Sequence, residues 1–306
     1  MMIYRQSFIQ HNLRLRAHIL RSIRRFFDQR GFLEIETPCR IPAPAPESHI
    51  DAQPSDAWFL QTSPELCMKQ LLAAGYLRIY QVCRCFRQSE RGQRHLPEFT
   101  MLEWYCAGQS YLEMMTDCEK LVRYVAGQIN GNDRIHYQTY QIDLQPPWDR
   151  LTVEEAFERH ASVSIPEALS QNQFDEVMAF DIEPQLGFSK PVFLYDYPTS
   201  CGALAKRHPD RPTLAQRFEL YIAGLELCNA FSELTDPEEQ RRRFHSEQHH
   251  RKAAAKTVYP NPEKFLSALS DMPDAAGNAL GIDRLIMLFV DTARIDDVVA
   301  FTPEEL

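Results

Sequence analysis

The chain has 306 residues, 44% of them hydrophobic and 25% charged, with a formal net charge of −9. That is enough apolar material for a sizeable core in one large domain or two. The acidic balance argues against a surface that coats nucleic acid, while leaving room for a local basic pocket. No apolar run approaches the length of a membrane helix, and the first residues lack an apolar signal core, which predicts a cytoplasmic protein. Eight cysteines are scattered along the chain; Cys83 and Cys85 flank Arg84 without C-x-x-C spacing and read as small buried hydrophobes with reduced thiols.

Leu13, Ala17, Leu20, Ile23 and Phe27 fall at helical spacing, and Gly31 can end that helix. Arg14, Arg16, Arg21, Arg24 and Arg25 lie between them and are expected on a solvated face. Phe32 to Glu36 alternates like a strand until Pro38, after which Pro42, Pro44 and Pro46 predict an extended connection. Ser63 and Pro64 open a second helix through Leu66, Lys69, Gln70 and Ala73, closed by Gly75. Glu65 sits in its first turn, where a carboxylate complements the helix dipole.

Leu77 to Arg87 alternates as a strand, with Tyr80, Val82 and Phe86 on one face. A charged loop carrying Glu90, Arg91, Arg94 and His95 follows. The chain then returns with Phe99, Met101, Glu103 and Tyr105 on one face, because strand side chains repeat every two residues. This hairpin sets an arginine near an aromatic ring and a carboxylate, an arrangement suited to phosphate, base and amine in a row. Helical patterns follow around Leu112–Ile129 and Val153–His160, then a strand from Pro191 to Tyr197 and an exposed loop from Lys206 to Thr213.

Arg217 to Leu234 reads as a second hairpin turning at Gly224, with Asn229, Phe231 and Glu233 on one face. Three carboxylates and an amide in a largely apolar hairpin are costly to bury unless divalent cations or a basic ligand meet them; an edge hairpin with a wet polar face is the alternative. Asp236-Pro237-Glu238-Glu239 starts a helix running toward Lys256. On it, His245 and His249 are spaced for a metal, but their many charged neighbours favour a solvated helix. Near the end, Gly277 and Gly281 precede Arg284 and an apolar helix. A cation in the first turn of a helix opposes the dipole, and a bound phosphate explains it. The common phosphate-binding glycine motifs are absent.

In order, GFLEIETP (31–38), FRQSE through PEFTMLEWY (86–105) and ALGIDRL (279–285) resemble the three signature motifs of class II aminoacyl-tRNA synthetases. TSPE (62–65) and ELCNAFSEL (226–234) lie between them. The resemblance spans nearly the whole chain and is greatest to the lysine-type catalytic domain. It implies an α+β fold with an antiparallel sheet flanked by helices, a homodimer formed through the first motif, and acyl-adenylate chemistry using ATP and Mg²⁺. With the first helix beginning near Met1, residues 1–306 are expected to be a single catalytic domain without an anticodon-binding domain.

Ala279 stands where synthetases for ordinary lysine have glycine. Alanine is found in the stand-alone branch that attaches (R)-β-lysine to a lysine of elongation factor P. β-Lysine and that protein are therefore the implied partners. A tRNA acceptor is the alternative, disfavoured by the missing module and the acidic balance. A third reading, a non-catalytic paralogue, should have lost Arg87, Arg284 or the Glu219/Glu226 pair, all present here.

Carried over by position, Arg87 would hold the α-phosphate, Arg284 would grip the γ-phosphate and Phe99 would stack on adenine. Gln88, Ser89, Glu90, His95, Leu96, Glu226, Leu227 and Gly281 complete the implied nucleotide site. Glu219 and Glu226 would bind Mg²⁺. Glu233 would pair with the distal ammonium of the amino acid, and Ser63, Pro64, Glu65, Glu103 and Tyr105 would surround its other amino group. Asn229 would orient the carboxylate and Ala279 would shape the wall. The sequence departs from the family pattern at Ser89, where a glutamate is usual and Glu90 follows, at Leu96 in place of asparagine, and at Ala230 in place of glycine.

Overall fold

The computed structural model describes residues 4–306. Its frame is an eight-stranded sheet built from β1 (Leu33–Glu34), β2 (Arg78–Phe86), β3 (Glu98–Ala107), β4 (Asp149–Thr152), β5 (Val192–Pro198), β6 (Leu214–Ile222), β7 (Leu225–Ser232) and β8 (Ala275–Gly281). Across the sheet the order is β1-β2-β3-β8-β7-β6-β5-β4. The interior pairs are antiparallel, as expected, but β1 beside β2 and β4 beside β5 run parallel. Each edge strand reaches its partner through a long connection rather than a hairpin, which is what parallel pairing requires. The alternation seen over 32–36 survives as only two paired residues, because Pro38 ends the run and the strand has a neighbour on one side alone.

The strand β8 is the last in sequence and inserts between β3 and β7. Its register sets the site. Gln81, Glu103, Ala279, Asn229 and Glu219 lie in one row across β2, β3, β8, β7 and β6. The next row holds Ile79, Tyr105, Gly277, Phe231 and Arg217. Paired residues in a sheet share a face, so segments separated by more than 170 positions in the chain place polar groups side by side.

The opposite face carries the main core. The helix α1 (Gln10–Asp28) buries Ile19, Ile23, Phe26 and Phe27, the stripe expected from helical spacing. The helix α3 (Tyr111–Asn130) begins with a Ser110/Glu113 capping box and ends at Gly131 in the left-handed conformation. Both pack with Leu102, Trp104 and Leu280 and with the apolar helix α6 (Ile282–Phe289). On the site face, α2 (Glu65–Ala73), α4 (Pro237–Ala253) and α5 (Glu263–Ala268) gather a smaller cluster around Leu72, Phe244, Phe265 and Tyr105. Asp236 caps α4 by accepting from the Glu238 and Glu239 amides. This helix stops at Ala253, with Ala255 at positive φ, short of the Lys256 expected. His245 and His249 are solvated there, and among the described residues no group of three or more His, Cys, Asp or Glu is set to hold a metal.

Arg14, Arg21, Arg24 and Arg25 are exposed, but Arg16 is not on the solvated face. Its guanidinium lies 2.5 Å from Asp283 and donates to Thr100 Oγ1 and the Val298 carbonyl. Asp283 in turn accepts from the Thr100 amide at 2.7 Å. Helical periodicity could not separate Arg16 from its neighbours, because its partners lie more than 80 residues away. Cys83 is also only half-buried, unlike Cys85.

Removing Arg16 leaves the Asp283 carboxylate, 3% exposed, without its counter-ion. Arg16→Ala is expected to lower unfolding stability by about 3 kcal/mol, as for other broken buried pairs. Urea denaturation measures this, and a loss below about 1 kcal/mol would show that the pair does not tie α1 to the third motif.

Candidate active site

The two rows of the sheet open into a cleft whose deep end is acidic. Ser63, at the start of α2, donates to Glu103 Oε1 at 2.6 Å and accepts from the Glu65 amide at 3.0 Å. Tyr105 donates to the other Glu103 oxygen at 2.9 Å. Burial and the nearby Glu65 nonetheless raise the Glu103 carboxyl to about 8, against the opposing effect of the two hydroxyls. Glu233 is likewise raised to about 8, first by burial, with Lys69 opposing and Glu65 adding to the shift.

Lys69 is the residue that sequence reasoning missed. It is fully buried one turn beyond Glu65, with Nζ 2.5 Å from both Glu65 Oε1 and Glu233 Oε2. Burial works against its charge, but Glu233 and Glu65 outweigh burial and raise its pKa. The contact with Glu233 is an ion contact without hydrogen-bond alignment, and both Glu233 oxygens remain without a donor. Glu233 thus does not stand free on the cleft wall as expected; it lies behind Gly277, already beside a lysine of its own chain. A Cβ at Gly277 would come within 2.3 Å of Glu233 Oε1 and of the Tyr105 ring, so only glycine fits there. The available signal for Lys69 was its i, i+4 spacing from Glu65 among the apolar positions Leu66, Met68 and Leu72.

Beside this end, Asn229 and Ala279 line the wall. The Arg217 Nε donates to Asn229 Oδ1 at 3.0 Å, which turns the amide N–H groups away from Arg217. Arg217 also meets Glu219 Oε1 at 2.6 Å, while Tyr197 and Tyr221 donate to Glu219 Oε2. Glu219 is therefore fully partnered behind the wall. Burial raises it and Arg217 opposes, with Glu226 adding to the rise. Glu226 does line the cleft, where burial is outweighed by Arg284, 3.1 Å away, and its pKa is lowered.

At the open end, Phe99 and Arg87 face each other, the guanidinium carbon 5.1 Å from the ring centroid. Arg87 Nε is buried and has no partner. Arg284 donates to the Glu226 carbonyl at 2.7 Å, and its Nη2 lies 2.6 Å from His95 Nε2. Arginine can only donate, so Nε2 must accept and the ring is neutral. Burial, then Arg284, hold the His95 pKa down at about 4. Ser89 has φ of 65° and turns the loop, so that Ser89 and Gln88 are exposed while Glu90 faces the cleft, 3.8 Å from Arg87. The carboxylate is thus presented one position later than in the usual pattern. Leu96, Leu227 and Gly281 line the same end, and Pro64 lies buried as the cap residue of α2. Two further groups were not foreseen: Glu47 lines the mouth, and Arg251 is completely buried beneath the loop that carries it.

Comparisons with known proteins identify relatives of the chain. The family model described as tRNA synthetases class II (D, K and N) matches residues 1–305. The chain is 39% identical to the lysine–tRNA ligase of Moorella thermoacetica over 94% of its own length, and spans 64% of that relative. It is 38% identical to the elongation factor P–(R)-beta-lysine ligases of Erwinia tasmaniensis and Edwardsiella ictaluri, covering 95% of this chain and 94% of each relative.

Glu65, Glu103 and Glu233 place three carboxylates around one ammonium, an excess of two negative charges when all are ionised. A ligand with two ammonium groups should therefore draw Glu103 and Glu233 into their charged forms and release protons. Its affinity is expected to rise between pH 6 and 8, with proton release measured by calorimetry in buffers of different ionisation enthalpy. In the empty protein the same groups, ordinarily near 4.5 and here near 8, bind more protons folded than unfolded. Their contribution to stability falls as pH rises across that window. Affinity that is flat with pH would show that the carboxylates stay charged when the cleft is empty.

Proposed function

The chain belongs to the class II tRNA synthetases of the D, K and N type, and we propose that it activates (R)-β-lysine with ATP and joins it to a lysine of elongation factor P. The observation that carries this reading is the acidic end of the cleft, which is short of two positive charges and has the Asn229 amide beside it. A diamino acid supplies both ammonium groups, and its carboxylate faces Asn229. The printed names of the Erwinia and Edwardsiella relatives support the acceptor.

In the first half-reaction the amino-acid carboxylate attacks the α-phosphorus of ATP, and pyrophosphate leaves. The protein supplies orientation and opposing charge rather than a covalent group. Arg87 meets the α-phosphate with its unpartnered Nε, and Phe99 stacks on adenine while held against that guanidinium. Arg284, kept in place by Glu226 and neutral His95, meets the γ-phosphate. Gly281 and Leu227 bring backbone close to the nucleotide, with Gln88, Ser89, Glu90 and Leu96 closing the loop above it. Glu226 and Glu219 are oxygen donors of the kind Mg²⁺ prefers, and the two influence each other's ionisation. Glu226 can serve directly, whereas Glu219 must yield one tyrosine contact. When bound, the ion neutralises phosphate charge, its other ligands coming from phosphates and water.

At the other end, Glu65, Glu103 and Tyr105, with Ser63 and Pro64 shaping the turn, take one amino group. Glu233 takes the other through Oε1, the oxygen beside Gly277 and away from Lys69. The Ala279 methyl lies between Glu103 and Asn229 in the row and sets the distance between amine and carboxylate. In the second half-reaction a lysine amine displaces AMP and forms an amide.

Leu33, Tyr76 and Leu77 are each about half exposed at the β1 edge of the sheet. They support a homodimer through the first motif, which light scattering tests: Leu33→Asp should shift the species toward the monomer. No helix among the described residues is long and apolar enough to cross a membrane, and a cytoplasmic site of action is part of the same proposal.

ATP–pyrophosphate exchange should be faster with (R)-β-lysine than with α-lysine, and Ala279→Gly should narrow that preference by ~10–100-fold, the effect of one methyl group. Equal rates in the unaltered protein count against the assignment of Ala279. Arg87→Ala should lower exchange by at least ~100-fold with the fold retained. Labelled β-lysine offered in parallel to elongation factor P and to tRNA decides the acceptor; label on tRNA alone would favour the activity named for the Moorella relative.

A further inference from the structure

One carboxylate in the cleft has no place in the first half-reaction. Glu47 is half-buried at the mouth, between Glu65 on the amine side and Arg87 on the phosphate side. No donor among the described residues reaches its side chain. The loop that carries it is nevertheless fixed. Arg251, wholly buried, donates to the Glu47 and Ile50 carbonyls at 2.8 Å and to Asp51 at 2.7 Å. Glu247 accepts from the Ser48 amide, and Lys256 donates to the Ser48 carbonyl. The Gln88 amide donates to the Asp51 carbonyl, tying this loop to the end of β2 just beyond Arg87. The backbone that carries Glu47 is thus pinned while its carboxylate is left without a donor, open to a group that arrives.

Charge tells what arrives. The two ammonium groups of the amino acid already balance the deep end, so Glu47 is a surplus acid. A third ammonium enters only in the second half-reaction, and only if the acceptor is a lysine rather than a ribose hydroxyl. Resting on that reading of the acceptor, we propose that Glu47 is a catalytic residue of the transfer step, receiving the acceptor ammonium and taking one proton from it. The Glu47 carboxylate becomes the acid, and the lysine becomes a neutral amine whose lone pair attacks the acyl carbon. The carbon–nitrogen bond forms, the bond from carbon to the phosphate oxygen breaks, and AMP leaves with that electron pair. The surplus proton on nitrogen passes to water.

The surroundings suit a proton acceptor working near neutrality. Burial, then Glu65, raise Glu47 to about 7, with Glu247 adding to the rise and Arg87 and Arg217 opposing. Glu90 also faces the cleft beside Arg87. A base of this strength is about half ionised near neutrality, and an ammonium that comes out of water beside Arg87 gives up its proton more readily.

The test separates the half-reactions in the full chain. Preformed β-lysyl-adenylate is offered either to elongation factor P or to hydroxylamine, a nucleophile already neutral at pH 7, with unaltered protein, Glu47→Gln and Glu47→Asp. Transfer by Glu47→Gln is expected to fall ~100-fold, while capture by hydroxylamine stays within about twofold. The rise in unaltered transfer rate through pH 7 should give way to a steady increase up to pH 9, and Glu47→Asp should restore part of the rate. Equal loss of transfer and of hydroxylamine capture would show that Glu47 holds the adenylate instead, and overturns the proposal, as does transfer by Glu47→Gln at the unaltered rate and pH profile. If the unaltered protein charges tRNA and no protein lysine, the acceptor reading fails and this proposal with it, a result distinct from either variant outcome.

Discussion

The site depends on one buried ammonium that is outnumbered. Lys69 is fully buried and its Nζ touches two carboxylates, with a third, Glu103, in the same pocket. Without it, three acids could not share so small a space in any charged form. With it, they share the space but remain undercharged, and the strain appears as carboxyls that hold their protons near neutrality. The pocket is thus stable when empty, yet improves electrostatically when a doubly cationic ligand enters.

The other buried cations serve position rather than balance. Arg217 joins Asn229, Glu219 and the Tyr197 ring in one contact set, so the Asn229 amide on the cleft wall cannot rotate freely. Arg251 does the same for a loop of irregular backbone, replacing the ladder hydrogen bonds that a strand would have supplied. Guanidinium groups suit both tasks because five donors in a fixed fork can satisfy several acceptors at once. The two arginines proposed to meet the phosphates are arranged in the opposite way: Arg87 keeps a buried N–H unused, and Arg284 rests on the Glu226 carbonyl and side chain.

Most of the frame was legible in the sequence. The alternation read over Leu77–Arg87 and Phe99–Tyr105 forms the strands Arg78–Phe86 and Glu98–Ala107, and the turn at Gly224 and the helix at Val153–His160 appear where local pattern placed them, since these elements satisfy their own periodicity. The resemblance gathered Glu103, Ala279, Asn229 and Glu219 into one site, but their cross-strand register left no local signal. What local pattern could not supply was partnership. Lys69, Arg16 and Arg251 read as polar residues on helices and are all paired with groups remote in sequence. Glu233 and Glu219 were expected to await ligands, but each already has a cation of its own chain beside it. Glu47 sat in a proline-rich stretch with no periodicity to mark it.

Ala279 and Gly277 stand two residues apart on β8, face the same cleft, and tolerate change very differently. At Gly277 any side chain collides with a carboxylate and an aromatic ring, so the position cannot vary while the pocket exists. Ala279 is held between two neighbouring strands by backbone bonds that no side chain there supplies. A methyl can be lost at that point without disturbing the sheet. The wall that this methyl forms can therefore be reshaped by one substitution, on a scaffold whose folding does not depend on it.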